Sequence, residues 1–311
     1  MSYKLLSYQA GREARAGVLV TEAVYDAARV TGVGSFSSVL GVLEDWPKAS
    51  RALAQAARRI AGGTSRAKGV PLARARLLAP VRYPGAIFCA GANYRDHMLE
   101  MARAQNVPPQ PDPHELGLKP WHFVKTSRAS VVGPGAKVAI PRYSRMIDWE
   151  VELAAVIGRP ARNVTIEKAL GYVAGYTIAN DLSARDVMRR PHVPDASAFK
   201  LDWLMQKCFE GSCPLGPWIT PASEIPEPQK LGLKLWVNDE LMQDSNTSQM
   251  IFTTAEQIAH LSTLVTLHPG DLVLTGTPAG VGMGRQRFLE PGETVKLWIE
   301  DIGELSHTMT A

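Results

Sequence analysis

A chain of 311 residues, 45% hydrophobic and 21% charged, can bury one large core and carry a smaller domain beside it. Its formal charge of +4 comes with no basic stripe or nucleic-acid module, and no run approaches the length of a membrane span, so neither partner is expected. Cys89, Cys208 and Cys213 make no disulfide framework, and the start MSYKLLSYQAGREARAG shows no long apolar segment before a cleavage site, which points to a reducing, cytoplasmic setting.

Residues 1–78 read as a small α+β leading domain. Tyr3 to Tyr8, Ala16 to Val20 and Ala23 to Asp26 are candidate strands, with Gly11 and Arg12 at a turn. The run from Pro47 to Ile60 is rich in alanine, has Pro47 near its start and Gly62-Gly63 after its end, and reads as a helix with Leu53, Ala56, Ala57 and Ile60 inward. Gly69, Pro71, Pro80 and Pro84 bracket the boundary to a second domain over residues 79–311.

In that domain Ala86–Ala90 is a strand, followed by Gly91-Ala92-Asn93-Tyr94 and a helical run, RDHMLEMARAQN. His97 and Glu100 are three apart, one helical turn, so the carboxylate can orient the imidazole; an incidental surface pair has the same spacing. Residues 105–120 hold too many prolines for regular structure, and a loop of this length suggests a mobile cover over a site. His122 to Lys125 is a short strand.

The stretch IDWEVELAAVIGR places Glu150 and Glu152 at i and i+2, on one face of an extended segment. Paired acids on a strand are commonly a wetted surface. Here the strand is apolar, and Asp181 closes a second apolar run, YVAGYTIAN; three oxygen donors of this kind suit a hard cation. Lys207 lies among Trp203, Leu204 and Phe209, where it either snorkels or steadies negative charge. Further strands are expected at 231–237, 272–274 and 295–300, and a helix at 254–264. The TGTPAGVGMG loop lacks GK[ST] and reads as a turned pocket wall.

The strings GANYRDHMLE, KTSRASVVGPG, IDWEVELAAVIGR, AGYTIANDLSARD, KCFEGSCPLGPWI, LWVNDELMQDSNTSQMIF and LHPGDLVLTGTPAGVG, in this order from about residue 80 onward, resemble the fumarylacetoacetate hydrolase family, in its acylpyruvase and hydroxyheptadienedioate isomerase-like branch. The resemblance implies a mixed α/β, strand-rich fold, a β-roll catalytic domain behind a small N-terminal domain, and a homodimer. It implies Mg2+ or Mn2+ held by Glu150, Glu152 and Asp181, a His97–Glu100 dyad on a lid helix, and Lys207 as active-site lysine. Arg185, Gln243, Thr247 and Thr277 fall at substrate-pocket or supporting positions. Arg189, Arg190 and His192 are offered for a second substrate carboxylate, with a solvated loop as the other reading. The implied reaction is hydrolysis of a C–C bond in an acylpyruvate-type 2,4-diketo acid, for example fumarylpyruvate, through a metal-bound enolate. Isomerisation of a hydroxymuconate-like dicarboxylate and decarboxylation of an oxaloacetate-type acid share that apparatus. A metal-stabilised binding protein is the non-enzyme alternative, which the intact dyad opposes.

Overall fold

The computed structural model describes residues 2–311. The strand Val151–Ile157 runs through the middle of the molecule and is buried along its whole length. Its alternation divides two cores. Leu153, Ala155 and Ile157 belong to one apolar cluster, and Ala154 and Val156 to the other, because successive strand residues face opposite ways. A strand covered on both sides reads as a continuous apolar run, which is how LAAVI reads.

On one side the cover is a five-stranded sheet ordered Glu240–Asn246, Gly232–Val237, Thr294–Ile299, Gly303–Thr310, Ala136–Ala139. Its Leu233, Leu235, Val295, Leu297 and Leu305 meet Leu153, Tyr176 and Ile178. On the other side lie Leu43 and Trp46 and, in the Trp46–Ala61 helix, Leu53, Ala56 and Ala57. Val151–Ile157 itself sits in the larger sheet, between Val173–Asn180 and Leu272–Leu274, antiparallel to both. Ile87–Ala90 then pairs parallel to Leu272–Leu274, and His122–Lys125 closes that edge. Asp181 and Lys125 are thereby delivered to the same rim as Glu150 and Glu152.

The leading segment joins this sheet. Lys4–Ala10 pairs with Cys213–Pro221 through Leu5 and Ile219, and its own hairpin runs to Ala10 and Glu13 around Gly11. Residues 1–78, expected as a small domain, share a sheet and an apolar core with the rest of the chain. That core buries Leu5, Val18, Leu43 and Leu53 together with Ile87, Val156 and Leu272. The Cys213–Pro221 strand and the C-terminal Gly303–Thr310 strand were not among the sequence expectations. The three cysteines are free thiols. Among the described residues no helix is long and apolar enough to cross a membrane.

Candidate active site

Glu150 precedes the central strand by one residue and Glu152 lies inside it; Asp181 follows the neighbouring strand. One carboxylate oxygen from each lies within 4.8 Å of the others, and all three residues are buried. The backbone holds them there. Asp181 N–H donates to the Glu150 carbonyl at 3.0 Å, and the Glu150 N–H donates to Asn180 Oδ1 at 2.9 Å. Gln243 and Thr277 brace the residue between the two glutamates: Gln243 Oε1 accepts from Val151 N at 3.0 Å, Thr277 Oγ1 donates to Val151 O at 3.0 Å, and Gln243 Nε2 donates to Thr277 Oγ1 at 2.9 Å. Gly276 donates its N–H to Glu152 Oε2 at 2.7 Å from a backbone with φ +91, where a Cβ would also meet Asn93.

Buried carboxylates need partners, and three cations supply them. Lys207 Nζ donates to Glu150 Oε2 at 3.0 Å and to Asp181 Oδ2 at 2.8 Å. Lys125 Nζ donates to Asp181 Oδ1 at 2.6 Å and to the Leu182 carbonyl at 3.1 Å. Arg185 donates through Nε to Asp148 Oδ2 at 2.8 Å and through its second fork nitrogen to Glu150. Asp148 also accepts the N–H of Trp149, Gly282 and Met283, which ties the glycine loop to the site.

The cluster is one positive charge short. Burial alone would raise the Glu150 carboxyl, yet Lys207 and Arg185 pull it down to about 2. Glu152 goes the other way: burial, then the charges of Asp181 and Glu150, push its carboxyl well above the ordinary range. Its Oε1 is buried without a hydrogen-bond partner. Four carboxylates face three cations, with one oxygen orphaned among hard donors. A divalent cation of the Mg2+ or Mn2+ type fits that deficit and that donor set.

His97 and Glu100 sit on the Arg95–Ala104 helix with His97 Nδ1 3.8 Å from Glu100 Oε2, within reach of charge but too long for a hydrogen bond. Nδ1 is buried without a partner. Glu100 Oε2 accepts the Gly280 N–H at 2.9 Å, joining the helix to the glycine loop. Burial acts to raise its carboxyl, but His97 and the Gly280 N–H together hold it below the ordinary value. Asn93 shapes the approach to this helix: its amide donates to the carbonyls of Phe252 and Thr275 and accepts from Phe252 N. A Cβ on Gly91 would stand 2.0 Å from the Trp121 ring.

Residues 86–310 match the fumarylacetoacetate hydrolase C-terminal family. The chain belongs to that family. The mitochondrial oxaloacetate tautomerase of Xenopus laevis is 42% identical over 233 residues, 74% of this chain and 67% of the relative. A fumarylacetoacetate hydrolase from Exiguobacterium antarcticum superposes with a TM-score of 0.77 at 30% identity, over the full length of both chains. A maleylpyruvate hydrolase from Sphingobium, solved with manganese(II) and pyruvate, superposes with a TM-score of 0.73 at 26% identity, covering 99% of this chain and 98% of that one. The protein is an enzyme with the mixed α/β, strand-rich fold of this family.

One cavity of about 290 Å3 gathers His97, Glu150, Arg185 and Thr277. Gln243 and Thr247 lie outside it: both are fully buried, with Gln243 bound to backbone and Thr277, and Thr247 Oγ1 accepting from Leu231 N at 2.9 Å. Lys207 sits among the carboxylates, with its ammonium 4.9 Å from the Phe123 ring. Arg189 and Arg190 are exposed and paired with Asp195 and Asp202, and neither lines the cavity. The 105–120 loop carries turns but no helix or strand, and His114 fastens it to Glu256 at 3.0 Å. Lys125, Asp148 and Asn180 were missed from sequence. Lys125 gave only a lysine ending an apolar strand; its partner is 56 residues away.

Proposed function

We propose that this protein is a Mg2+- or Mn2+-dependent hydrolase that cleaves the C–C bond of an acylpyruvate-type 2,4-dioxo acid. The observation that carries the reading is that His97, with Glu100 Oε2 3.8 Å behind its Nδ1, opens onto the same cavity as Glu150, one of the buried Glu150, Glu152 and Asp181 trio. A cation held by these three residues would polarise the 2-oxo acid's oxygens and stabilise the negative charge that develops on them.

The remaining work falls to the chain. His97 takes a proton from water, and Glu100 stabilises the imidazolium that results. The hydroxide attacks the distal carbonyl carbon, and the bond from that carbon to C3 breaks, with its electron pair going to C3. The distal fragment leaves as a carboxylic acid. C3 regains a proton from His97, which restores the base and releases pyruvate. Lys207 keeps Glu150 ionised, orients Glu150 and Asp181, and sets a fixed positive charge next to the developing oxyanion. Arg185, held by Asp148 and Glu150, faces the cavity and meets the substrate's carboxylate.

The oxaloacetate tautomerase relative supports a second reading, in which His97 moves a proton between C3 and the enol oxygen of a small 2-oxo diacid, with no water attack. The two readings separate in one experiment. Metal-loaded enzyme is given acylpyruvates and oxaloacetate in 18O-water and, separately, in 2H2O. Hydrolysis puts 18O into the released acid; tautomerisation exchanges the C3 hydrogen with no C–C bond broken. Neither signal with any of these acids would sink both readings.

A homodimer belongs to the same proposal. Phe199, Leu204 and Val124 are 73%, 65% and 58% exposed, on the segments that carry Met188, Trp203 and Phe123 into the cavity wall. Apolar surface so placed suits a partner protomer. A monomeric mass in solution would refute this part.

A further inference from the structure

The wall of the cavity falls into two chemical sets. One is polar: Glu150, Arg185, Thr277 and His97, next to the carboxylate trio. The other is apolar: Met101, Met188, Met283, Trp121, Phe123 and Trp203. The Trp203 ring packs edge-on against Trp121 and stacks on Phe123, each at a centroid distance of 5.4 Å. Three methionines beside a ring cluster make a surface that adapts to flat or unsaturated apolar groups.

This apolar set offers nothing to a second carboxylate. Among the described residues Arg185 is the one arginine lining the cavity and no lysine lines it, and Arg185, held by Asp148 and Glu150, is taken up by the first carboxylate of the 2-oxo acid. A carboxylate placed against the six apolar side chains would lose its water, and Lys207, whose ammonium stands 4.9 Å from the Phe123 ring, is already bound to Glu150 and Asp181.

Between these sets the lining includes Gln206, which is 2% exposed and whose Oε1 has no hydrogen-bond partner. A buried amide oxygen left unsatisfied in a cavity wall calls for a donor from whatever fills the cavity. An amide oxygen is neutral and accepts, so it matches a donating enol hydroxyl without requiring charge.

We propose that the substrate is a 2-oxo acid whose far group is uncharged and apolar, an alkanoyl or aroyl group in place of a second carboxylate, and that Gln206 Oε1 accepts from the neutral enol hydroxyl. This rests on the 2,4-dioxo acid reading above and narrows it. It sets this chain apart from enzymes acting on maleylpyruvate or oxaloacetate, both of which are diacids.

The test compares benzoylpyruvate, acetylpyruvate, fumarylpyruvate and oxaloacetate with the Mn2+-loaded enzyme. The expected result is a kcat/KM for benzoylpyruvate at least about tenfold above that for fumarylpyruvate, the scale on which apolar pockets discriminate. Met188→Arg should reverse the order. Gln206→Leu should raise KM for benzoylpyruvate roughly tenfold while its unfolding temperature holds or rises, since an unsatisfied polar group is removed. Fumarylpyruvate matching or exceeding benzoylpyruvate, or unaltered kinetics in Gln206→Leu, overturns the inference while leaving the hydrolase reading intact. Should none of the acids turn over, the hydrolase reading fails and calorimetric binding of the same acids decides the inference by itself: tighter binding of benzoylpyruvate sustains it and tighter binding of either diacid overturns it.

Discussion

Asn180 donates its side-chain N–H to Nε2 of His307 across 2.8 Å, while its amide oxygen accepts the Glu150 N–H at 2.9 Å. The second contact fixes the amide orientation, so His307 accepts at Nε2 and carries its proton on Nδ1, which has no partner. The C-terminal strand thereby holds a metal-ligand candidate through one neutral imidazole.

That imidazole makes the fold sensitive to acid. Burial pushes the His307 pKa down from 6.5 to about 3. Below pH 6.5 the unfolded chain takes up a proton that the folded chain refuses, so the contribution is complete above that pH and is lost as pH falls toward 3. The slope is about 1.4 kcal/mol per pH unit, or roughly 2 kcal/mol between pH 7 and 5. Urea unfolding at both pH values should show this loss in the native protein and a shallower one in His307→Gln. An identical loss in the variant would assign it to other groups.

Glu152→Gln should act in opposite directions with and without metal. It removes the carboxylate that Asp181 and Glu150 repel, so the metal-free protein should gain stability, on the order of 1 kcal/mol or more. It also removes a hard anionic ligand, so Mn2+ affinity should fall at least about tenfold. Thermal unfolding with chelator or with Mn2+, together with calorimetric titration, reads both effects. Unchanged Mn2+ affinity would remove Glu152 from the ligand set.

His114 should latch the 105–120 loop more firmly in mild acid. Its ring nitrogens face Glu256 at 3.0 Å and Asp112 at 3.1 Å, and the Glu256 contact is the main cause of its raised pKa. A raised folded pKa means the stabilisation is full below 6.5 and fades as pH climbs through the folded value. The side chain is 41% exposed, so the effect is small, under about 1 kcal/mol. Hydrogen exchange of the loop, corrected for intrinsic rates, should speed up from pH 6 to pH 9 in the native protein and be pH-independent in His114→Ala. Equal protection at both pH values in the native protein would dismiss the latch.

Replacing His97 by Gln should lower hydrolysis by roughly 10²–10⁴-fold, the range for a lost general base, with little change in unfolding temperature. Glu100→Gln should cost less, since an amide oxygen can still accept the Gly280 N–H but no longer stabilises an imidazolium. Full activity in His97→Gln would remove the assigned base. Equal losses in both variants would mean that Glu100 does more than support it.

Much of the local structure was legible from sequence alone. The Thr254–Leu264 helix and the His122–Lys125 and Leu272–Leu274 strands fall where pattern and turn residues place them, because period and punctuation are properties of neighbouring residues. Glu150 and Glu152 were readable for the same reason: a spacing of two puts both on the face opposite Val151 and Leu153 whatever the strand pairs with. His97 and Glu100 were readable as one helical turn, Asp181 as an acid closing an apolar run and Lys207 as a lysine among apolar neighbours, and the family strings joined them into one candidate site.

What tertiary structure decided is which distant groups share space. Lys125 meets Asp181 across 56 residues, Asn180 meets His307 across 127, and Leu5 pairs with Ile219 to bring the leading segment into the main sheet. It also separated residues that sequence had grouped: Thr277 faces the cavity, whereas Gln243 and Thr247 are buried against backbone, and Arg189 and Arg190 turn to Asp195 and Asp202. No local pattern carries that information. A buried charge takes whichever partner chain folding brings within hydrogen-bond reach, and here strand order set that choice.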